Sequence, residues 1–105
     1  MLHIYPFCVE MLRDVRRYAD AIARFDANHA RQLRRSGLSV SLNVAEGSGS
    51  RGGNRRNRYD MALGSARETM ANLEAAEAIG YLRSIDDVSL QRLNRIIGTL
   101  VRLVH

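Results

Sequence analysis

Apolar residues recur along this chain at alternating intervals of three and four, and the series restarts four times. Cys8, Leu12, Val15, Ala19 and Ile22 step by 4, 3, 4 and 3, which places them on one face of a helix. Pro6 precedes them with a backbone angle suited to a first turn, so the pattern predicts a helix over about residues 7–25. Its other side carries Arg13, Arg17, Asp20 and Arg24. Asp20 lies four residues from both Arg16 and Arg24, a spacing at which opposite charges can meet.

Leu33, Gly37, Val40 and Val44 define a second helix, about 28–46, with Gly47 as its expected C-terminal cap. Leu38, Leu42 and Ala45 cluster on nearly the opposite side of that same helix. A helix apolar on two sides is buried on both: one against its own bundle, the other against a second copy of the chain. Between the two sides runs a polar stripe of Ser36, Ser39, Asn43 and Glu46, at spacings of 3, 4 and 3. Polar groups at a helix interface set register and subunit number, so Asn43 and Glu46 join Leu38, Leu42 and Ala45 as expected oligomer contacts.

Tyr59, Leu63, Ala66, Met70 and Leu73 mark a third helix, about 54–79, ending at Gly80, with small Gly64, Ala71, Ala75 and Ala78 on its back. A fourth, about 85–104, opens near Ser84 with Asp87 in a capping-box-like arrangement. It carries Leu90, Leu93, Ile97, Leu100 and Val104 inward, and Arg92, Arg95 and Arg102 on its expected outer side. No segment alternates with period two, and no repeat appears at a solenoid period. The expected fold class is therefore all-α: one domain, residues 1–105, built as an up-and-down antiparallel four-helix bundle.

Length narrows the function. A chain of 105 residues leaves no room for a multi-domain enzyme and has a thin core of its own, which favours association. A single cysteine, no glycosylation sequon and no secretory pattern at the N-terminus point to the cytoplasm. No apolar run approaches the roughly 18 residues that cross a bilayer, so no membrane contact is expected.

Charge changes the picture more. All sixteen basic residues are arginine and the net charge is +5. Residues 31–58 hold seven arginines against one acid, Glu46, a balance of +6, whereas residues 59–90 balance at −4. Guanidinium groups match phosphate in a bidentate way, although a GC-rich coding sequence also favours arginine over lysine. Gly47 to Gly52 spells G-x-G-x-x-G, but after a helix rather than a strand, and a phosphate-binding P-loop needs a lysine the chain lacks. The motif instead reads as a flexible linker between helices two and three, and residues 47–58 set Arg51, Arg55, Arg56 and Arg58 among glycines, serines and asparagines that suit a phosphate chain. Aromatic partners for bases are few, and Tyr59, beside the linker, is spaced as core.

Other chemistry finds no foothold. His3, His29 and His105 are isolated and Cys8 lies in a core series, so no metal, no cofactor and no catalytic residues are expected.

Several blocks also carry a family resemblance: Arg31 to Ser36, Ser39 to Gly47, Ala62 to Glu68, Asn72-Leu73 and Gly80 to Leu82. In that order and spacing they resemble the bacterial four-helix-bundle proteins of the 23S rRNA intervening-sequence family, among whose relatives is the accessory variability protein of diversity-generating retroelements. The resemblance implies a homopentamer of up-and-down bundles around a central channel, with a basic surface and an association with nucleic acid. It implies motif roles for Arg34, Arg35, Ser39, Asn43, Glu46, Gly47, Gly64, Ser65 and Glu68.

The expected function is thus non-enzymatic: a homo-oligomer binding RNA or DNA by its backbone through Arg34, Arg35, Arg51, Arg55, Arg56 and Arg58, as an accessory factor to an RNA-processing or reverse-transcribing protein partner. The alternative is a protein-interaction scaffold with no nucleic-acid role, its arginines paired with acidic groups.

Overall fold

The computed structural model describes residues 3–105. Helices α1 (Tyr5–Ile22), α2 (Ala27–Ser48), α3 (Gly52–Ile79) and α4 (Asp87–Val104) follow one another through short turns. Each packs against its neighbour in sequence, and α4 closes on α1. The result is the expected up-and-down bundle, with no strand among the described residues. Its long axis is 43 Å, about the length of the 28-residue α3 at 1.5 Å per residue.

The core is a column of Ile4, Met11, Leu33, Leu63, Leu93, Ile96 and Leu100, all essentially inaccessible to water. The face of α1 is slightly rotated from the expected one: Met11 is buried, while Leu12 is half-buried. Two charge expectations are corrected. Asp20 pairs with Arg34 of α2 at 2.9 Å rather than with Arg16 or Arg24. Arg92 does not lie on an outer face; it is half-buried in an ion pair with Asp14 of α1.

An aspartate caps each of α2 and α4. Asp26 caps α2 by accepting from the His29 amide at 2.9 Å, and Asp86, not the Ser84 box, caps α4 by accepting from the Ser89 amide at 2.8 Å. Each sits in extended backbone, where a cap carboxylate can reach the orphan amides of the first turn. Asp86 is also tied to α1: the Tyr18 hydroxyl donates to its Oδ2 at 2.7 Å and accepts from its amide at 2.9 Å, and Arg17 donates to the same Oδ2 at 2.7 Å.

The Tyr18 hydroxyl foremost, then the Ser89 amide, hold this carboxyl at about 2, below its ordinary 3.8. A depressed acid contributes stability that is complete above its unfolded value and is lost as pH falls through the folded one. Asp86 should therefore contribute to acid unfolding between roughly pH 4 and pH 2. Asp86→Asn should flatten that limb of a stability-against-pH curve; an unchanged slope would show that Asp86 is not tied down in solution.

The largest departure is at the end of α2. Gly47 does not cap it: the helix runs on to Ser48 and Gly49 takes the cap. Gly47 is buried because the Tyr59 ring lies on it, so closely that an added Cβ would stand 2.4 Å from Tyr59 Cε1. Gly47 is thus a close-approach glycine between α2 and α3. Gly47→Ala should force the buried ring aside and cost about 1–3 kcal/mol, read as a lower denaturant midpoint.

Because α2 ends late and α3 begins at Gly52, the expected gap between the two helices, residues 47–53, shrinks to residues 49–51. Arg55, Arg56 and Arg58 ride on a helix. Gly80, by contrast, ends α3 as expected, in left-handed backbone at φ +95°.

Candidate nucleic-acid interface

Helices α2 and α3 run antiparallel, and small polar side chains line their seam. Thr69 donates to Ser36 Oγ at 2.9 Å, the Ser39 and Ser65 hydroxyls meet at 2.7 Å, and Asn43 donates to the Ser39 carbonyl at 2.9 Å. Arg58 ends the series by donating to Asn43 Oδ1 at 3.4 Å. No buried side-chain nitrogen or oxygen among the described residues lacks a partner. The stripe expected to face a sister subunit is therefore largely satisfied within its own chain: Ser36 and Asn43 are buried, while Glu46 stays exposed.

The apolar residues of that side of α2 do face outward. Leu38 is 49% and Leu42 56% exposed, joined by Met61 of α3 at 47%. They line a shallow concave strip with Arg35, Ser39, Asn43, Glu46 and Arg58. Ala45 is half-buried beside Leu42. Next to the strip is a cleft of about 400 Å³, where Arg35 and Ser39 recur with Arg31, Gln32, Ser65 and Glu68. Gln32 belongs to neither apolar series of α2; the packing of α2 on α3 brings it to the cleft.

The six candidate arginines do not form one patch. Arg34 faces α1 and pairs with Asp20. Arg35 and Arg58 flank the apolar strip. Arg51, Arg55 and Arg56 gather at the start of α3, where Arg55 donates to the Ser50 carbonyl at 2.8 Å and Arg56 to that of Val104 at 3.1 Å. Apart from Arg34, none of the six forms an ion pair among the described residues.

The start of α3 is electrostatically unusual. Arg51 is the cap residue and makes no side-chain cap bond, and the first turn holds no acid. A helix N-terminus carries about half a positive charge, so arginines there repel it, and an anion relieves both.

Burial pushes the Cys8 thiol up to about 12, which leaves it protonated, and the described residues contain no cluster of metal-binding side chains. Thiol reagents should label Cys8 only on unfolding; labelling of native protein at the unfolded rate would contradict the packing of α1. No helix among the described residues is long and apolar enough to cross a membrane.

An all-α four-helix bundle with a polar α2–α3 seam and an arginine-rich end is the class that fold and surface define. The family model described as 23S rRNA-intervening sequence protein matches residues 4–102, and the chain belongs to that family. A crystal structure of a protein of unknown function from the S23 ribosomal protein family of Bacteroides thetaiotaomicron has the same fold, with a TM-score of 0.86. It is 19% identical, and the match covers 96% of this chain and 97% of that one. No curated protein matches the sequence.

Proposed function

We propose that the chain is a non-enzymatic accessory protein that assembles with copies of itself and binds nucleic acid by its phosphate backbone. The observation that carries this reading is the start of α3: Arg51, Arg55 and Arg56 stand on a positive helix end, with Arg58 further along α3, and none of the four forms an ion pair among the described residues. Self-repelling charge of this kind lowers the stability of a free subunit and becomes favourable against a polyanion. The family's description by an rRNA intervening sequence supports the same choice of ligand.

Arg35 and Arg58 border the exposed Leu38, Leu42 and Met61. Association through that strip would bring the arginines of several subunits together, in the homopentamer that the family resemblance implies. Nucleic acid and a protein partner of RNA processing or reverse transcription are the proposed associates.

Fluorescence anisotropy with labelled RNA and DNA across a salt series tests the proposal. Affinity should fall steeply as salt rises. Absence of binding at low salt would leave the scaffold reading, in which these arginines meet acidic protein surfaces.

A further inference from the structure

At the end of the bundle remote from the arginine cluster, the α1–α2 and α3–α4 turns meet. Gly80 swings the chain out of α3 and carries Tyr81 against Phe25 of the other turn. The two rings are stacked, with centroids 5.4 Å apart and planes 9° from parallel. His29 meets Tyr81 edge-on at 5.8 Å, and its Nε2 lies 2.9 Å from the Asn72 carbonyl oxygen. The stack is thus held from beneath, while Phe25 on top is 63% exposed.

Arg24, Arg83 and Glu77 line the same concavity. Neither arginine forms an ion pair among the described residues. Two cations against one anion leave the lining of this concavity positive, although the surrounding 59–90 segment is acidic overall. An apolar peptide side chain would cover Phe25 but gain nothing from the guanidinium groups. A nucleotide offers both complements, a flat π face for the ring and a phosphate beside it for arginine.

We infer that Phe25, braced by Tyr81, is a stacking platform for an unpaired nucleobase of single-stranded nucleic acid, with Arg24 and Arg83 taking the flanking phosphates. This rests on the nucleic-acid reading and adds that one stretch of the bound strand is unpaired. The platform and the start of α3 lie at opposite ends of a 43 Å axis, so the two contacts can be tested separately.

The test uses oligoadenylate RNA, its duplex with oligouridylate, and an abasic chain of equal length. Phe25→Leu keeps an apolar side chain but removes the flat face. It should weaken single-strand binding by roughly five- to a hundredfold, the worth of one stacked base, and leave duplex binding unchanged. The chain has no tryptophan, so Phe25→Trp places one reporter on the platform; its emission should be quenched by oligoadenylate and not by the abasic chain.

Equal single-strand affinity for Phe25→Leu and the parent, with the salt-dependent contact at α3 intact, would overturn the platform and spare the proposed function. A tryptophan quenched equally by the abasic chain would overturn it too. No binding of any of these nucleic acids at low salt would remove both.

Discussion

Replacing Arg51, Arg55, Arg56 and Arg58 together by Gln should strip the protein of most of its salt-sensitive affinity for nucleic acid while leaving the bundle folded. Each phosphate neutralised contributes about 0.7 to single strands or 0.9 to duplex in the slope of log affinity against log salt. Four lost contacts therefore lower the slope by roughly three. Between 50 and 200 mM salt the parent should lose about 50- to 150-fold more affinity than the variant. Folding should survive because Arg51, Arg55 and Arg56 are exposed and Arg58 is half-buried, their observed partners being two backbone carbonyls and Asn43. Relief of like charge at the positive helix end should offset part of what those bonds contribute. Parallel salt curves for parent and variant would place the nucleic-acid surface elsewhere or nowhere.

The second large effect concerns assembly. Leu38→Glu combined with Leu42→Glu should convert a sedimenting homo-oligomer, expected to hold five subunits, into single subunits with unchanged helical content. Both leucines are about half exposed in the lone chain, so charge there costs the isolated bundle little, within about 0.5 kcal/mol per site. In an assembly the same positions would bury two carboxylates in an apolar contact, a cost of several kcal/mol per ion. Leu33→Ala provides the contrast, since Leu33 is fully buried within the subunit; it should lower stability by about 2–5 kcal/mol. A parent protein that sediments as one subunit at all accessible concentrations would leave the outward leucines without the cover proposed for them.

Much of the bundle was legible because helix periodicity is a local signal. Leu33, Val40 and Val44 of α2, and Tyr59, Leu63, Ala66 and Leu73 of α3, are buried as their spacing indicates. Caps were less legible, since two polar residues within a turn of each other compete and the backbone angles choose between them. Asp26 and Asp86 are in the extended conformation that a cap needs; the Tyr18 hydroxyl that ties down Asp86 comes from 68 positions away.

The segment from Gly47 to Arg58 was the least legible. Its glycines suggest a mobile loop, because glycine frees the backbone and disfavours helix interiors. Gly47 is instead required by the Tyr59 ring lying on it, a need visible only once α2 and α3 are side by side. The packing of the helices separates Arg34, paired with Asp20 of α1, from Arg35 and Arg58 along the apolar strip and from Arg51, Arg55 and Arg56 at the start of α3.

Alone, the sequence determined that this chain makes four helices, that α2 is apolar on two sides, and that positive charge is concentrated in residues 31–58. These are properties of neighbours along the chain. The tertiary structure decided which arginines keep acidic partners, how the α2 stripe closes on Ser65 and Thr69, and that Phe25 lies flat on Tyr81. Those depend on how helices and turns far apart in sequence are packed, and no local period encodes that.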